Sequence, residues 1–100
     1  MAITKEAAKK HIKDHIQNNG GNYSAWYAGI ASDVNQRLFS DHNVDEKNGQ
    51  WAWAECESAD AARDVEDYFF NTLGTKGGPG GGDRTTKYIY AYKITSSTKE

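Results

Sequence analysis

The sequence predicts an α+β fold, in which a small three-stranded, mainly antiparallel sheet is flanked by three helices. Helical and strand-like segments alternate along the chain, each of them is short, and no linker divides them. One hundred residues, 37% of them hydrophobic and 12% aromatic, suffice for one core and leave little room for a second. We therefore expect a single domain over residues 1–100.

Three segments have apolar residues at helical spacing and a polar residue that can cap the first turn. The predicted N-caps are Thr4, Ser32 or Asp33, and Ser58. The residues expected to face the core are Ala7, Ala8, Ile12, Ile16, Leu38, Ala62, Val65, Phe69 and Leu73. Glycines end the first helix at Gly20 and the third at Gly74, and the second helix spans roughly 34–42.

Three further segments are typical of strands, and they span residues 24–30, 51–56 and 87–95. In the last of them the tyrosines alternate with smaller or apolar residues, so that one face carries Tyr88, Tyr90 and Tyr92. In the middle strand, Trp51 and Trp53 alternate with small residues. We expect these indoles to be core residues or to lie beneath the first helix, with stacking on nucleic-acid bases as the alternative.

The charge balance argues against a chain that binds nucleic acid through its overall field. The formal net charge is −2 and the isoelectric point is about 5.9. A local basic patch stays possible around the glycine-rich run, where Lys76, Arg84 and Lys87 stand. These three residues are therefore candidates for nucleic-acid binding, together with Arg37.

Cysteine usage and hydropathy indicate a cytoplasmic protein without a membrane partner. Cys56 is the only cysteine, which excludes an internal disulfide and a multi-cysteine zinc site. His11 and His15 have the spacing of two zinc ligands on a helix, but no third ligand is evident. We expect neither a signal segment nor a membrane span. The polar residues 96–100 are expected to fray.

The stretch Tyr27–Leu38 resembles the second half of the signature of the GIY-YIG nucleases. In that family a Tyr-x-Gly strand end is followed by a short loop and a helix that carries an arginine. Here the strand end reads Tyr-Ala-Gly, and Arg37 stands ten residues after Tyr27, as the family arginine does. His42 follows one turn later, where many members have histidine or a similar polar residue.

The resemblance covers roughly residues 26–70. The tryptophan-rich strand and the helix after it follow in family order, and that helix places Glu66 at the position of the family's metal-binding glutamate. The family's first strand, with its Gly-Ile-Tyr motif, is missing before Tyr27, and its asparagine is replaced by the run Gly77–Gly82. We expect the strand around Tyr90 to pair beside the strand of Tyr27 and to supply the missing tyrosine near Arg37.

The resemblance implies hydrolysis of a phosphodiester bond with one divalent metal ion. Glu66 would bind Mg²⁺, which prefers oxygen ligands and often takes one protein carboxylate beside water and phosphate oxygens. Tyr27 or Tyr90 would align or deprotonate the attacking water, and Arg37 would balance the charge that develops on the phosphate. His42 is an alternative base, because imidazole titrates near neutral pH.

Each candidate also has a purely structural explanation. Tyr27 can be a packed strand aromatic, and Arg37 can pair with an aspartate one turn away on its helix. Glu66 lies on a polar helix face where solvation is usual, and His42 ends a helix, where a partial positive charge is favourable.

The departures from the family pattern and the acidic balance favour a degenerate member that binds nucleic acid, DNA rather than RNA, over an active endonuclease. The alternative is a protein-interaction domain that keeps only the scaffold. The nuclease hypothesis requires Tyr27, Arg37 and Glu66 to meet on one open concave surface, with Lys76 or Arg84 nearby. The interaction hypothesis predicts that they are scattered and that an exposed apolar patch lies elsewhere.

Overall fold

A four-stranded mixed sheet organises the chain, with packed segments on both of its faces. The computed structural model describes residues 2–77 and 86–99. The strands are β1 (Trp26–Ala31), β2 (Trp51–Glu55), β3 (Lys76–Gly77) and β4 (Tyr88–Lys93). The helices are α1 (Lys5–Asn18), α2 (Ala59–Asp67) and the π-helical segments Gln36–Asp41 and Tyr68–Leu73, the second of which continues α2. The α+β class is therefore confirmed.

The sheet has one strand more than the three that the sequence predicts, and that strand makes the mainly antiparallel sheet a mixed one. The strand order is β2-β4-β1-β3, with β4 antiparallel to both of its neighbours and β3 parallel to β1. Lys76 and Gly77 pair with Tyr27 and Ala28. A side chain at Gly77 would collide with the carbonyl oxygen of Ala28, so glycine is required there. Two residues that end in glycine carry no alternation, and β3 is therefore invisible to pattern analysis.

The central pairing follows the prediction that the last strand lies beside the first. β4 pairs with β1 over six residues, and Tyr27 faces Tyr92 while Gly29 faces Tyr90. β1 begins two residues later than predicted, because residues Tyr23–Ala25 form a 3₁₀ turn. β2 lies on the other side of β4, so β4 is the centre of the antiparallel part.

The predicted caps explain where the helices begin and end. The hydroxyl of Thr4 accepts a hydrogen bond from the amide of Ala7 at 3.1 Å, and Ser58 does the same for Ala61 at 3.0 Å. Gly74 takes a left-handed conformation (φ 84°) and ends the segment that continues α2. Among the residues predicted to face the core, Ala7 is exposed instead, whereas Ala8, Ile12, Ile16, Ala62, Val65 and Phe69 are buried.

The predicted second helix forms, but most of it is π-helical. Asp33, rather than Ser32, caps it, because its carboxylate accepts from the amide of Gln36 at 3.1 Å. The amide of His42 donates to the carbonyl of Arg37 at 2.9 Å, which is the wider i to i+5 turn. Arg37 and His42 therefore lie at the two ends of one π turn.

The two faces of the sheet are built from different residues. One face, here called the apolar face, packs against α1 and α2 and consists of Trp26, Ala28, Ile30, Ala52, Ala54, Cys56, Ile89 and Ala91. The opposite face, here called the tyrosine face, carries Tyr27, Gly29, Ala31, Trp51, Trp53, Tyr88, Tyr90 and Tyr92. The π-helical segment Gln36–Asp41 covers part of it through Leu38 and Phe39.

The prediction that the tryptophans of β2 belong to the core or lie beneath the first helix is wrong for Trp53, because the alternating residues Ala52 and Ala54 face the helices, whereas Trp51 packs against the core cluster of the tyrosine face. Trp51 is half-buried against Phe39, with the ring centroids 5.1 Å apart, and its indole N–H donates to the carbonyl of Glu46 at 3.1 Å. Trp53 is 43% exposed. Small residues on the inner side of β2 let α1 approach the sheet closely, which leaves the indoles on the tyrosine face.

The segment 94–99 is held against the sheet, and the prediction that residues 96–99 fray is wrong. The amide of Ile94 donates to the carbonyl of Ala25 at 2.8 Å. The amide of Lys99 donates to the carbonyl of His42 at 2.7 Å, and Asn43 donates to the carbonyl of Ser97 at 2.9 Å. Within the described ranges, no helix has the length and apolar character that crossing a membrane requires.

Candidate functional site

A buried phenol, Tyr90, lies at the centre of the predicted site. Its side chain is completely inaccessible to solvent, and its hydroxyl lies 2.8 Å from Nε2 of His42. Burial raises the pKa of Tyr90 to about 12; the neighbouring Arg37 opposes this increase, whereas Tyr27 and Glu66 add to it. The charges of Arg37, Tyr27 and Glu66 therefore all act on this one hydroxyl group.

Gly29 makes room for that phenol. Gly29 and Tyr90 are directly opposite each other on β1 and β4, and the ring of Tyr90 lies over the glycine. A Cβ atom at Gly29 would stand 2.6 Å from the Tyr90 hydroxyl oxygen. The glycine of the Tyr-Ala-Gly motif is thus required by the tyrosine across the strand pair, since its own backbone is not left-handed.

Arg37 lies at the mouth of a cleft beside this cluster. The cleft has a volume of about 250 Å³ and lies where β1 ends, between Ser32, Arg37, Asp41 and Thr86. Burial lowers the pKa of Arg37, but the neighbouring Tyr90, Asp41 and Tyr27 together raise it above the ordinary value. The guanidinium also pairs with Asp41 at 3.6 Å, which is long for an ion pair and is partly exposed.

His42 is clamped by the segment 94–99. Its Nδ1 lies 2.6 Å from the carbonyl oxygen of Lys99 and 3.1 Å from the hydroxyl of Tyr92. A carbonyl oxygen only accepts hydrogen bonds, so Nδ1 carries a hydrogen atom. In the neutral imidazole Nε2 then accepts from the hydroxyl of Tyr90. His42 is only 5% exposed, so this geometry is fixed by burial as well as by hydrogen bonds.

Glu66 differs from the other acidic residues of α2. Asp64 is exposed and pairs with Lys5 at 3.1 Å, and Asp67 is exposed and accepts a hydrogen bond from Asn71. Glu66 is only 4% exposed. A carboxylate is rarely buried unless it is paired or holds an ion, and solvation therefore does not explain Glu66.

Tyr27 completes the cluster from the second position of β1. It is half-buried, and its ring stacks on Tyr92 with the centroids 5.3 Å apart. The imidazole of His42 lies 4.7 Å from the Tyr27 ring centroid. Tyr27, His42 and Tyr90 are therefore brought together, and the charges of Arg37 and Glu66 act on the same cluster, although the five residues come from separate elements.

The predicted surface is only partly open. Arg37 lines the cleft, whereas Tyr90, His42 and Glu66 are buried and do not line it. The site is thus a cleft beside a buried polar cluster, and not the open concavity that the nuclease hypothesis requires.

The three predicted basic residues do not form one patch. Lys76 is exposed and faces Tyr27 across the β1–β3 pair. Lys87 is exposed too, but it lines a separate depression with Glu57 and Asp60 at the start of α2. Arg84 lies outside the described residues. Lys76 is therefore the described lysine that the sheet register brings to the cluster.

A single carboxylate is the candidate metal ligand. Across residues 2–77 and 86–99, no three His, Cys, Asp or Glu side chains come close enough to hold a metal ion. The ring of His15, one of the two histidines at zinc-ligand spacing, packs edge-on against Trp26 with the centroids 5.6 Å apart. Glu66 fits an ion that takes most of its ligands from water and phosphate, as Mg²⁺ does.

Sequence reasoning missed three groups that build the site. They are the hydroxyl of Tyr92, the space at Gly29 and the backbone carbonyl of Lys99. The alternation of tyrosines in β4 already placed Tyr92 on the same face as Tyr90, so that signal was present. A backbone carbonyl has no sequence signal, and its role depends on the fold alone.

Comparison of the chain with protein-family models, with curated proteins and with solved structures found no match.

Proposed function

We propose that this chain is a GIY-YIG-like nucleic-acid module that binds a backbone phosphate at Arg37. One observation carries the proposal: the buried hydroxyl of Tyr90 bonds Nε2 of His42 at 2.8 Å, and its ring stacks beside Tyr27 at 6.4 Å between centroids. The charges of Arg37 and Glu66, from two further elements, act on the same hydroxyl. Packing alone does not require a cation, a phenol and a buried carboxylate at one point. Clusters of coupled ionisable groups beside a cleft are typical of functional sites.

Arg37 supplies the phosphate contact. Its guanidinium stays cationic at every physiological pH and can donate two parallel hydrogen bonds to phosphate oxygens. The pairing with Asp41 is long and partly exposed, so a phosphate can replace it at little cost. Ser32, at the other side of the cleft, is a second hydrogen-bond donor for the same anion.

Slow Mg²⁺-dependent cleavage of the phosphodiester bond is a second candidate function, and the carboxylate of Glu66, whose charge acts on the hydroxyl of Tyr90, favours it. Mg²⁺, when bound by Glu66, would stabilise negative charge on the phosphate. Tyr27 is half-buried and therefore better placed than Tyr90 to orient a water molecule. Complete burial and a pKa of about 12 make Tyr90 a poor base, so its role is to fix Arg37 and His42.

The alternative of a protein-interaction domain has less support. It predicts scattered candidate residues and an exposed apolar patch elsewhere. Among the residues described, Trp53 alone is a large apolar side chain with high exposure. The proposed function therefore rests on binding of nucleic acid, with cleavage as its weaker extension.

Binding of a labelled DNA oligonucleotide tests the phosphate site. Arg37→Ala should raise the dissociation constant by about 10- to 100-fold, because a charge-assisted hydrogen bond contributes roughly 1.5–3 kcal/mol. The salt dependence should weaken by about one unit of slope. Arg63→Ala is the matched control, since Arg63 is an exposed arginine on α2. Equal binding by wild type and Arg37→Ala would refute the proposed site.

Magnesium titration followed by amide NMR shifts tests the metal ligand. In the wild type the shifts should cluster around Glu66, and Glu66→Gln should remove them. Asp67→Asn is the matched control, because Asp67 is an exposed acidic residue next to Glu66. Shifts that spread over surface carboxylates, or that survive Glu66→Gln, would contradict the assignment and leave phosphate binding at Arg37 as the function.

A further inference from the structure

A second small groove lies next to the Arg37 cleft. It has a volume of about 250 Å³, and its walls are formed by Ser32, Asp33, Val34, Asn35, Trp53 and Tyr88. Ser32 and Asp33 also line the cleft of Arg37, so the two depressions lie on either side of one short loop. Apart from Ser32, which the two depressions share, neither the phosphate contact nor the Glu66 cluster uses the residues of this groove.

Trp53 gives the groove an aromatic floor. Its side chain is 43% exposed, and it meets Tyr88 at a ring-centroid distance of 5.7 Å and an interplanar angle of 66°. Trp51, two residues away on the same face, is instead packed against Phe39 and donates a hydrogen bond to Glu46. The exposure of Trp53 is therefore specific to this position and is not a property of the whole strand.

The remaining walls are polar and suit the edge of a nucleobase. Ser32 and Asn35 can donate and accept hydrogen bonds, and Asp33 can accept them. Asp33 accepts from the amide of Gln36 through Oδ1, which leaves Oδ2 able to accept from another donor. A flat ring with hydrogen-bonding edges matches an aromatic floor with polar walls, and the groove is too small for the apolar face of a protein helix.

We propose that this groove binds one unpaired nucleobase, stacked on Trp53, beside the phosphate held by Arg37. This inference rests on the proposed function and narrows its substrate to single-stranded nucleic acid or to a duplex with an unpaired base. A paired base has both faces stacked and its edge occupied, so it cannot enter. Stacking on an aromatic side chain is tolerant of sequence, and the groove therefore selects strandedness more than base identity.

Fluorine NMR with 5-fluorotryptophan tests the groove, because the three tryptophans differ in burial. Trp26 is fully buried, Trp51 is half-buried and Trp53 is exposed. On titration with a short single-stranded oligothymidylate, the Trp53 resonance should shift while that of Trp26 stays in place. A blunt duplex and a single strand made of abasic residues, which keeps the phosphates without bases, should leave the Trp53 resonance unchanged.

Variants at Trp53 measure the contribution of stacking. Trp53→Ala should weaken binding of the oligothymidylate by about 5- to 150-fold, the range that one stacked base contributes, and Trp53→Phe should lose much less. Neither variant should change binding of the abasic strand. Amide spectra confirm that each variant is folded, and Trp53→Phe keeps the test valid if Trp53→Ala unfolds.

The outcomes separate this inference from the function on which it rests. If the abasic strand binds as tightly as the oligothymidylate, or if Trp53→Ala has no effect while Arg37→Ala does, the base site is wrong and the phosphate site stands. If wild type binds none of the three nucleic acids, both proposals fail, and Trp53 is then left as a contact for a protein partner.

Discussion

The two faces of the sheet are stabilised by different forces. The apolar face meets α1 and α2 through aliphatic, alanine and aromatic contacts around Phe69, which is completely buried. The tyrosine face is closed by one π-helical segment and by the segment 94–99, and its core contains phenols and an imidazole. Burial of apolar area therefore accounts for the stability of one face, whereas the other depends on satisfied hydrogen bonds as well.

The polar groups of the tyrosine face form one connected hydrogen-bond network. Arg37 interacts with the hydroxyl of Tyr90, that hydroxyl bonds Nε2 of His42, and Nδ1 of His42 bonds the carbonyl of Lys99. Buried networks of this kind are favourable only when each member has its partner. No member of this network lies on the apolar face, whereas Glu66 belongs to α2, which packs there. The comparison teaches that the phenol–imidazole network of the candidate site is separate from the apolar core.

The largest effect on stability should come from the apolar face. Phe69→Ala removes a fully buried ring beneath the sheet, and it should lower the free energy of unfolding by about 3–5 kcal/mol. Urea unfolding followed by circular dichroism measures this loss. Phosphate binding per folded molecule should stay unchanged, because Arg37 is on the other face. A cost below about 1 kcal/mol would mean that the core does not depend on this ring.

The tyrosine face should be the alkali-sensitive one. The pKa of Tyr90 is raised from 10.0 to about 12, mainly by burial, so the folded state keeps a proton that the unfolded chain loses. The contribution of the Tyr90 proton to the free energy of unfolding is fully present below pH 10 and is lost as the pH rises to about 12. It amounts to roughly 2–3 kcal/mol.

Urea unfolding at a series of pH values between 9 and 12 measures this loss. Tyr90→Phe has no proton to lose at that position, so its stability should fall less steeply over the same range. The other tyrosines are common to both proteins. The difference between the two curves of unfolding free energy against pH therefore isolates Tyr90. Parallel curves for the wild type and the variant would contradict the buried phenol.

Gly29→Ala should damage the tyrosine face by steric conflict. The added methyl group would stand 2.6 Å from the hydroxyl oxygen and 2.8 Å from Cζ of Tyr90, which is held in place by Arg37 and His42. Overpacking of this kind costs about 1–3 kcal/mol. In the background of Tyr90→Ala the same substitution should cost almost nothing, and thermal unfolding of the double-mutant cycle measures the coupling. An equal cost in both backgrounds would show that the conflict lies elsewhere.

The apolar face was largely predictable from the sequence, because periodicity reports directly on burial. Helical spacing identified Ile12 and Val65, and Thr4 and Ser58 marked the helix starts through their caps. The exception was Ala7, which has the right spacing but is exposed. Alanine is small enough to occur on either side of a helix, so its position carries little information.

The tyrosine face was predictable only in part. The resemblance gathered Tyr27, Arg37 and Glu66, but the burial of Glu66 and the clamp on His42 depend on contacts between elements far apart in sequence. The exposed indole of β2 was misplaced because alternation fixes which residues share a face and not which face is inside. The small residues Ala52, Ala54 and Cys56 face the helices, and the indoles therefore lie on the opposite face.

The smallest predicted effect on stability concerns the apolar face, and it occurs at acidic pH. Burial, with a further contribution from the nearby His11, lowers the pKa of His15, whose ring packs edge-on against Trp26. Below the ordinary histidine pKa of 6.5, the unfolded chain therefore binds a proton that the folded chain resists. The contribution of His15 is present above pH 6.5 and is lost as the pH falls through the lowered value.

The replacement His15→Gln should make the free energy of unfolding less dependent on pH in the acidic range, here called the acidic limb. It should leave the alkaline limb, the loss of stability above pH 10 that Tyr90 causes, unchanged. His11→Gln is the matched control, because His11 is exposed on the same helix. It should change the acidic limb less than His15→Gln does. Urea unfolding at a series of pH values measures both limbs. If His15→Gln flattened the alkaline limb instead, the two faces would be coupled, and the separation of the phenol–imidazole network from the apolar core would not hold.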